Sequence, residues 1–452
     1  MPEKNETQEL NKKLVKITVP IAFQQLMLAL VAVADALMLG NIEQNAMSAV
    51  TLATQVQFIQ NLLIGAVVGP AAILGAQYFG KKDTDSVLDV YNTALRMTGV
   101  ICVVFFAMCE LCPGLLMRIF TDEATLTEIG IKYLKVAGWS YLVVGVSQSL
   151  HSLMKVSEKV RATAVISVGT VIVNIILNAV FIYGLFGLPK MEAEGAAVAT
   201  VLSRILELLA CILIISRKDY LSPNIKRIFK YNRLLIKDFV KCMWPLLGAN
   251  MLWGIGFTSY TAFMGHLGED AAGANSICSV VRDCVCCATD GLAMGAGIIV
   301  GNELGAGRLD TAKQFGTRMV RIAFITGFIS TGIMLALIFP ISFFVKLTDN
   351  AKSLLYGMMA VMAVYMIGRC VNTIVINGVF AAGGDTVFDM YSLAVAMWGI
   401  AVPLAALGTF VFEWNPVLVY AMTCLDEVGK IPWVLFHFKK YKWVKDLTRQ
   451  HL

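Results

Sequence analysis

The sequence has 452 residues, of which 58% are hydrophobic and 15% are charged. Soluble globular proteins average about 25% charged residues, so this composition excludes a soluble domain as the main body of the chain. The net charge of +6 comes from the segments between the apolar runs, and it therefore does not indicate nucleic-acid binding.

Apolar runs long enough to cross a bilayer fill most of the chain. A transmembrane helix needs about 20 mainly apolar residues, and these runs are too long for barrel strands. They predict an all-α polytopic membrane protein with twelve transmembrane helices. The predicted spans are residues 14–39, 48–76, 88–112, 130–154, 161–187, 194–216, 238–265, 273–301, 315–343, 353–380, 386–410 and 416–438. The first run is too long for the apolar part of a signal peptide, so we interpret it as an uncleaved span.

The distribution of basic residues predicts the orientation. An even number of spans places both termini on one side of the membrane. With the N-terminus inside, the inner segments hold 25 Lys and Arg residues and the outer loops hold six. Because cytoplasmic loops carry such an excess, we predict a multi-pass protein of the cell (inner) membrane with both termini in the cytoplasm.

A basic polar segment divides the chain near its midpoint. Residues 217–237 carry seven basic residues, and we predict that they form a cytoplasmic linker. The linker separates an N-terminal six-helix lobe, residues 1–216, from a C-terminal six-helix lobe, residues 238–438. Residues 439–452 then form a basic cytoplasmic tail.

The two halves of the sequence repeat. A shift of 225 positions places Gln77 on Asn302 and Gly80 on Gly305, at equivalent ends of the second and eighth spans. Because six spans is an even number, both halves enter the membrane from the same side. This predicts a parallel repeat whose lobes are related by a pseudo-twofold axis along the membrane normal.

Six short stretches, taken together in this order, resemble one transporter family. They are Pro20–Gly40 with its acid at Asp35, Gly75–Gly80, Asn174–Asn178, Gly195–Thr200, Val300–Gly307 and Gly383–Thr386. Over nearly its whole length the chain resembles the multidrug and toxic compound extrusion (MATE) family, as a bacterial member of a DinF-like or related subgroup. The resemblance implies two six-helix lobes facing a central cavity, and export of cationic amphipathic compounds in exchange for protons or sodium ions.

Polar residues in the N-terminal spans form the first candidate site. An ionisable residue in a span is costly unless it faces a cavity or a partner. Asp35 lies in an otherwise uncharged run, and Asn174, Asn178 and Thr200 lie at similar predicted depth. Their oxygens favour either a sodium ion here or a proton on Asp35, and no other metal site is predicted. The alternatives are that Asp35 only bonds a neighbouring helix and that the asparagines only join helices.

The sequence departs from the family in two respects. DinF-like members often have an acid at the position of Asn178, whereas NorM-like members have one in the seventh span, and this chain has none between Lys241 and His266. Asp35 is therefore the only charged group of the N-terminal set, and the C-terminal site of NorM-like members is not carried over directly.

The C-terminal half has a second set of charged residues within its predicted spans. They are Arg282, Asp283, Asp290, Arg369, Asp426, Glu427 and Lys430. Asp426 and Lys430 have the i,i+4 spacing of a helical ion pair. Three positive and four negative groups leave one charge without a balancing partner, so the network either carries a titratable carboxylate or only stabilises the lobe. We interpret Arg204 and Glu207, three residues apart in the sixth span, as a structural pair.

These features predict a cation-coupled antiporter that exports amphipathic organic cations by alternating access. The coupling ion is a proton or a sodium ion, and no other cofactor is predicted. The expected partners are small organic cations and the lipid bilayer, and we expect a monomer, because this architecture can work as one. The alternative is a flippase for lipid-linked oligosaccharide precursors, which needs a basic cavity for the pyrophosphate. We do not expect an enzyme, because no catalytic set of residues is recognisable.

Overall fold

The computed structural model describes residues 4–40, 44–187, 190–223, 232–341 and 347–449. Within these ranges the side chains of residues 4–7, 31–40, 44–45, 186 and 192 are not described. In this part of the chain the regular secondary structure is entirely helical.

The helices are numbered in chain order. They are α1 (Lys4–Gly40), α2 (Gln44–Gly80), α3 (Thr84–Leu111), α4 (Pro113–Arg118), α5 (Ala124–Val156), α6 (Val160–Tyr183), α7 (Glu192–Ile215), α8 (Arg233–His266), α9 (Glu269–Gly305), α10 (Leu309–Leu337), α11 (Asp349–Asn372), α12 (Thr386–Leu393), α13 (Val402–Phe410), α14 (Pro416–Thr423), α15 (Leu425–Val428) and α16 (Ile431–Lys439). π-Helical turns continue α11 over Thr373–Phe380 and join α12 to α13 over Ala394–Ala401.

Each of the twelve predicted spans contains at least one described helix, although residues 342 and 343 of the ninth span lie outside the described residues. Ten helical stretches in this part of the chain are long and apolar enough to cross a membrane. They correspond to the predicted spans one to six and eight to eleven. The seventh span corresponds to α8, and the twelfth corresponds to the three short helices α14–α16. The predicted fold class, an all-α polytopic membrane protein, is confirmed.

The chain forms two compact units. One unit comprises Met1–Gln25, Ala76–Lys82 and Lys241–Leu452, and the other comprises Leu26–Gly75 and Asp83–Val240. The first unit therefore includes the end of α2 together with all of α9–α16. The domain boundaries at residues 216 and 238 remain a prediction.

Within the first unit, the ends of α2 and α9 cross with their backbones in direct contact. A side-chain carbon on Gly80 would overlap the backbone of Asn302, and one on Gly305 would overlap the backbone of Gln77. The two contacts are reciprocal under the 225-residue shift, which exchanges Gly80 with Gly305 and Gln77 with Asn302. The crossing thus has the local twofold character that the sequence repeat predicts.

The polypeptide after α16 packs against the same crossing. The side-chain amide of Gln77 donates hydrogen bonds to the carbonyls of Ala382 (2.7 Å) and Lys445 (3.2 Å). Its oxygen accepts a bond from the N–H of Leu447 at 2.6 Å. Trp443 is fully buried. We call residues 441–449 the C-terminal strap, because these contacts fasten it to α2.

Methionines fill part of the core around α11. Met358, Met359, Met362 and Met366 are each at most 2% exposed, and they belong to one apolar cluster with residues of α9, α10 and α14. Flexible thioether side chains pack well against irregular neighbours. This packing fixes the position of α11, whose last turn carries Arg369 and Asn372.

Candidate functional site

The last predicted span is broken in the middle, and the sequence explains the break. Pro432 has no N–H, and its ring clashes with the carbonyl four residues earlier, so an α-helix does not run through it unchanged. The chain instead forms α15 and α16 with Gly429 and Lys430 between them. The break places Asp426, Glu427 and Lys430 at a helix interruption inside the protein, where they are only 3–4% exposed.

The end of α11 accommodates this interruption. A side-chain carbon on Gly368 would lie 2.8 Å from the backbone carbonyl of Glu427, so only glycine permits this approach. Asn372 donates from Nδ2 to the backbone oxygen of Glu427 at 2.7 Å. A buried carbonyl without such a donor costs about 1–3 kcal/mol. Asn372 was not identified from the sequence, because nothing in its local pattern signals a distant broken helix.

Glu427 is the centre of the charged network. Its Oε2 accepts a hydrogen bond from Asn372 at 2.6 Å and lies 3.3 Å from Lys430 Nζ. Its Oε1 lies 3.7 Å from Arg369 Nη1. The ion pair expected between Asp426 and Lys430 is wrong: Lys430 pairs with Glu427, because the helix does not continue regularly from Asp426 to Lys430.

Asp426 has a different environment. Tyr260 on α8 donates from its hydroxyl to Asp426 Oδ2 at 3.4 Å. Asp426 Oδ1 is buried and has no hydrogen-bond partner among the described residues. The 225-residue shift that aligns Gly40 with Gly265 also places Asp35 on Tyr260. The repeat therefore indicated Tyr260 as the C-terminal counterpart of Asp35, but only Asp35 was selected from the sequence as a candidate residue.

Two further carboxylates belong to the network. Asp389 on α12 interacts electrostatically with Lys430, Glu427 and Arg369, and Asp290 on α9 interacts with Arg369. Asp389 was missed in the sequence analysis, although it is an acid within the eleventh predicted span. That position alone was sufficient to include it.

Arg282 and Asp283 form a pair of their own. Arg282 Nη2 lies 2.8 Å from Asp283 Oδ1, and its guanidinium lies 5.0 Å from the centre of the Phe257 ring. Asp283 is largely exposed, whereas Arg282 is largely buried. With Asp389 included, the described network has five carboxylates and three basic groups. Formally, two negative charges have no balancing base.

Among the N-terminal candidate residues whose side chains the structure describes, Asn174 and Asn178 contact each other, whereas Thr200 bonds within its own helix. Asn178 donates from Nδ2 to Asn174 Oδ1 at 3.3 Å, and both side chains are buried. Thr200 donates its hydroxyl proton to the carbonyl of Ala196, one turn back on its own helix. The side chain of Asp35 lies outside the described residues. Its role therefore remains a prediction.

The pair of Arg204 and Glu207 has a third member. Arg204 Nη1 donates to Glu207 Oε2 at 2.7 Å, and His151 Nε2 on α5 lies 3.2 Å from Glu207 Oε1. Cys211 Sγ lies 3.5 Å from the same histidine nitrogen. A histidine within the apolar run of α5 is an ionisable group that needs a partner, and that signal was available in the sequence.

Comparison with known proteins identifies relatives of nearly full length. The chain is 24% identical to YisQ, an uncharacterised transporter of Bacillus subtilis, over 87% of this chain and 86% of that protein. It is 23% identical to a probable multidrug resistance protein, NorM, of Thermotoga maritima, over 99% of this chain and 97% of that protein.

Solved structures share the fold. The Vibrio cholerae MATE transporter VcmN superposes with a TM-score of 0.89 at 13% identity, covering 98% of this chain and 100% of that chain. A MOP superfamily transporter from Pyrococcus furiosus superposes with a TM-score of 0.86 at 15% identity, covering 96% of this chain and 97% of that chain. The MatE family profile matches residues 20–180 and 245–407, which is more than half of the sequence. The chain therefore belongs to the MatE family of membrane transporters.

Proposed function

We propose that this protein exports amphipathic organic cations in exchange for protons or sodium ions by alternating access. The observation that carries the proposal is the excess of carboxylates over bases in the C-terminal network of Asp283, Asp290, Asp389, Asp426 and Glu427. Relatives named as multidrug resistance proteins support the direction and the broad substrate class.

The excess of negative charge in the network lowers the binding free energy of a cationic ligand. A monovalent cation about 4 Å from one uncompensated carboxylate gains about 4 kcal/mol at an effective dielectric constant near 20. That gain corresponds to about a thousandfold in binding constant. Asp426 is the best placed of these groups, because its Oδ1 is buried and has no hydrogen-bond partner among the described residues.

Competition for the same carboxylates couples the two ligands. The coupling ion and the organic cation each neutralise the excess charge, so they do not bind together. If each ligand favours a different conformation of the transporter, binding of one releases the other on the opposite side. Asp35 is proposed as a second such carboxylate in the N-terminal half.

The flippase alternative is not favoured by the network. Recognition of a pyrophosphate needs basic groups that are available to the ligand. In the described C-terminal network, Arg369 and Lys430 both contact Glu427, and Arg282 contacts Asp283. The basic groups are therefore engaged by carboxylates of the protein itself.

The test is transport by purified protein in liposomes. Uptake of a fluorescent organic cation is measured with a proton gradient or a sodium gradient imposed separately. We expect Asp426→Asn and Asp35→Asn to reduce gradient-driven transport by at least about tenfold, equivalent to about 1.4 kcal/mol. Asp310→Asn is the matched control, because Asp310 is an exposed carboxylate on α10 that pairs with Lys313.

Three outcomes decide the proposal and the assignment of its carboxylates. Gradient-driven transport by the wild type and by Asp310→Asn, lost in Asp426→Asn, supports it. No transport of organic cations by the wild type under either gradient overturns it. Full activity of both Asp426→Asn and Asp35→Asn overturns the assignment of the carboxylates.

A further inference from the structure

His151 lies in a buried polar cluster that the proposed exchange at Asp426 and Asp35 does not use. The cluster belongs to one compact unit and joins α5 to α7. His151 and Glu207 are 7% and 6% exposed. Glu207 receives a hydrogen bond from Arg204 on one oxygen and faces His151 with the other.

The contacts of the imidazole determine which nitrogen carries its proton. Nε2 lies 3.2 Å from a carboxylate oxygen, which only accepts hydrogen bonds. Nε2 therefore carries the proton in the neutral ring. If the Cys211 thiol donated to Nε2 instead, the proton would sit on Nδ1, which is buried and has no hydrogen-bond partner among the described residues. A buried donor without an acceptor is unfavourable, and no charge attraction offsets that cost in the neutral ring, so this second tautomer is disfavoured.

The neutral ring consequently keeps a basic lone pair on Nδ1. When a proton adds there, the ring becomes an imidazolium whose positive charge faces Glu207 across the Nε2–H bond. The attraction between these opposite charges, which the neutral ring lacks, offsets the cost of leaving the Nδ1–H without an acceptor. Histidine is the side chain that makes this change within the physiological pH range. Arg204 keeps its charge throughout, so the cluster of His151, Glu207 and Arg204 alternates between a formal charge of zero and of plus one.

The charged and titratable residues of the neighbouring helices are few. The α7 helix presents Arg204, Glu207 and Cys211, and Lys155 follows His151 by one turn on α5. Hydrogen bonds between the hydroxyls of Tyr91 and Ser152 and between those of Thr98 and Ser149 show which part of α3 packs beside this part of α5. Residues Asp89, Tyr91 and Arg96 are the titratable or charged residues of α3 in or next to that part, and α6 contributes Arg161 at its start.

The position of His151 along α5 is close to the predicted cytoplasmic surface. The helix ends at Val156, five residues later, which is about 7 Å along the helix axis. The predicted depth of Asp35, in contrast, is near the outer surface. A proton that enters from outside and leaves to the cytoplasm therefore meets His151 late in its passage.

We propose that His151 is a proton-binding site of the transport cycle, with Glu207 as its counter-ion. The proton that moves inward adds to the Nδ1 lone pair, and it leaves to water on the cytoplasmic side, which restores the neutral ring. This inference rests on the proposed function and deepens it, because it makes the coupling ion a proton.

The first test compares His151→Gln with His266→Gln in proteoliposomes. A glutamine at 151 still donates a hydrogen bond to Glu207 but does not take up a proton. His266 is an exposed histidine at the end of α8 and serves as the matched control. We expect proton-driven transport to fall at least about tenfold in His151→Gln and to lose its dependence on cytoplasmic pH. His266→Gln should keep both.

A second test does not depend on the folding of a variant. The wild-type protein, labelled with ¹⁵N-histidine, is titrated by NMR in detergent micelles, and His151 is assigned by position-selective labelling of the wild type. Its ring signals should report a change of protonation during the titration, and an organic cation should shift that change. A ring that stays in one state throughout overturns the inference.

The outcomes separate this inference from the proposed function. A wild type that exports organic cations with a sodium gradient alone, or a His151→Gln variant with the wild-type rate and pH profile, overturns the role of His151 and leaves the exporter standing. A wild type that exports no organic cation under either gradient overturns the proposed function itself.

Discussion

The crossing of α2 and α9 predicts that one substitution has opposite effects at two glycines. Alanine normally stabilises a helix by about 0.5–1 kcal/mol relative to glycine. Gly265, near the end of α8, has open space around the position of a side-chain carbon, so Gly265→Ala should gain up to that amount. At Gly305 the same carbon would overlap the backbone of Gln77, and no flexible side chain is there to move aside.

The magnitude at Gly305 follows from that overlap. Forcing an extra carbon into a tight contact costs about 1–3 kcal/mol, which exceeds the helix gain. Gly305→Ala should therefore lose up to about 2.5 kcal/mol, and it should differ from Gly265→Ala by the overlap cost itself, about 1–3 kcal/mol. Gly80→Ala should behave like Gly305→Ala, because its side-chain carbon would meet the backbone of Asn302. The double variant of Gly80→Ala and Gly305→Ala should lose less free energy of unfolding than the sum of the two single losses, because one separation of the helices relieves both overlaps.

Thermal unfolding in detergent provides the assay. The cysteines of this protein are free and most of them are buried, so a thiol-reactive dye reports unfolding. The unfolding midpoint should fall for Gly305→Ala and Gly80→Ala and rise slightly or stay constant for Gly265→Ala. Equal midpoints for Gly305→Ala and Gly265→Ala would refute the close backbone crossing.

Four other predictions concern the charged network and the C-terminal strap. Lys430→Met removes a buried partner of Glu427 and should cost about 3–5 kcal/mol, whereas adding Glu427→Gln to it should recover most of the loss in the same unfolding assay. Asn372→Leu should lower the unfolding midpoint through loss of its bonds to Glu427, each worth about 0.5–1.5 kcal/mol. Trp443→Ala should cost about 3–5 kcal/mol, seen as a lower midpoint and a lower yield of folded protein. Gln77→Leu should leave the backbone groups of residues 445 and 447 without their partner, and protease cleavage within 441–449 should become faster.

The spans and the repeat were readable from the sequence, because both depend on local composition. A run of about 20 apolar residues is a helix in a bilayer wherever it occurs. The match of Gly80 with Gly305 likewise depends only on position along the chain, and the structure places these two residues at one crossing. The break in the last span was also encoded locally, by Pro432, although residues 416–438 were predicted to form one continuous span.

The partners of the charged residues were decided by the tertiary structure. Spacing along an ideal helix predicted that Lys430 pairs with Asp426, but the interrupted helix and the approach of α11 direct it to Glu427. The joining of His151 to Glu207 likewise depends on how α5 packs against α7. The sequence by itself determined which ionisable groups enter the membrane, since the cost of burying a charge marks them. Only the packing of helices distant in sequence decided which groups neutralise one another, because that depends on distances of a few ångströms between side chains.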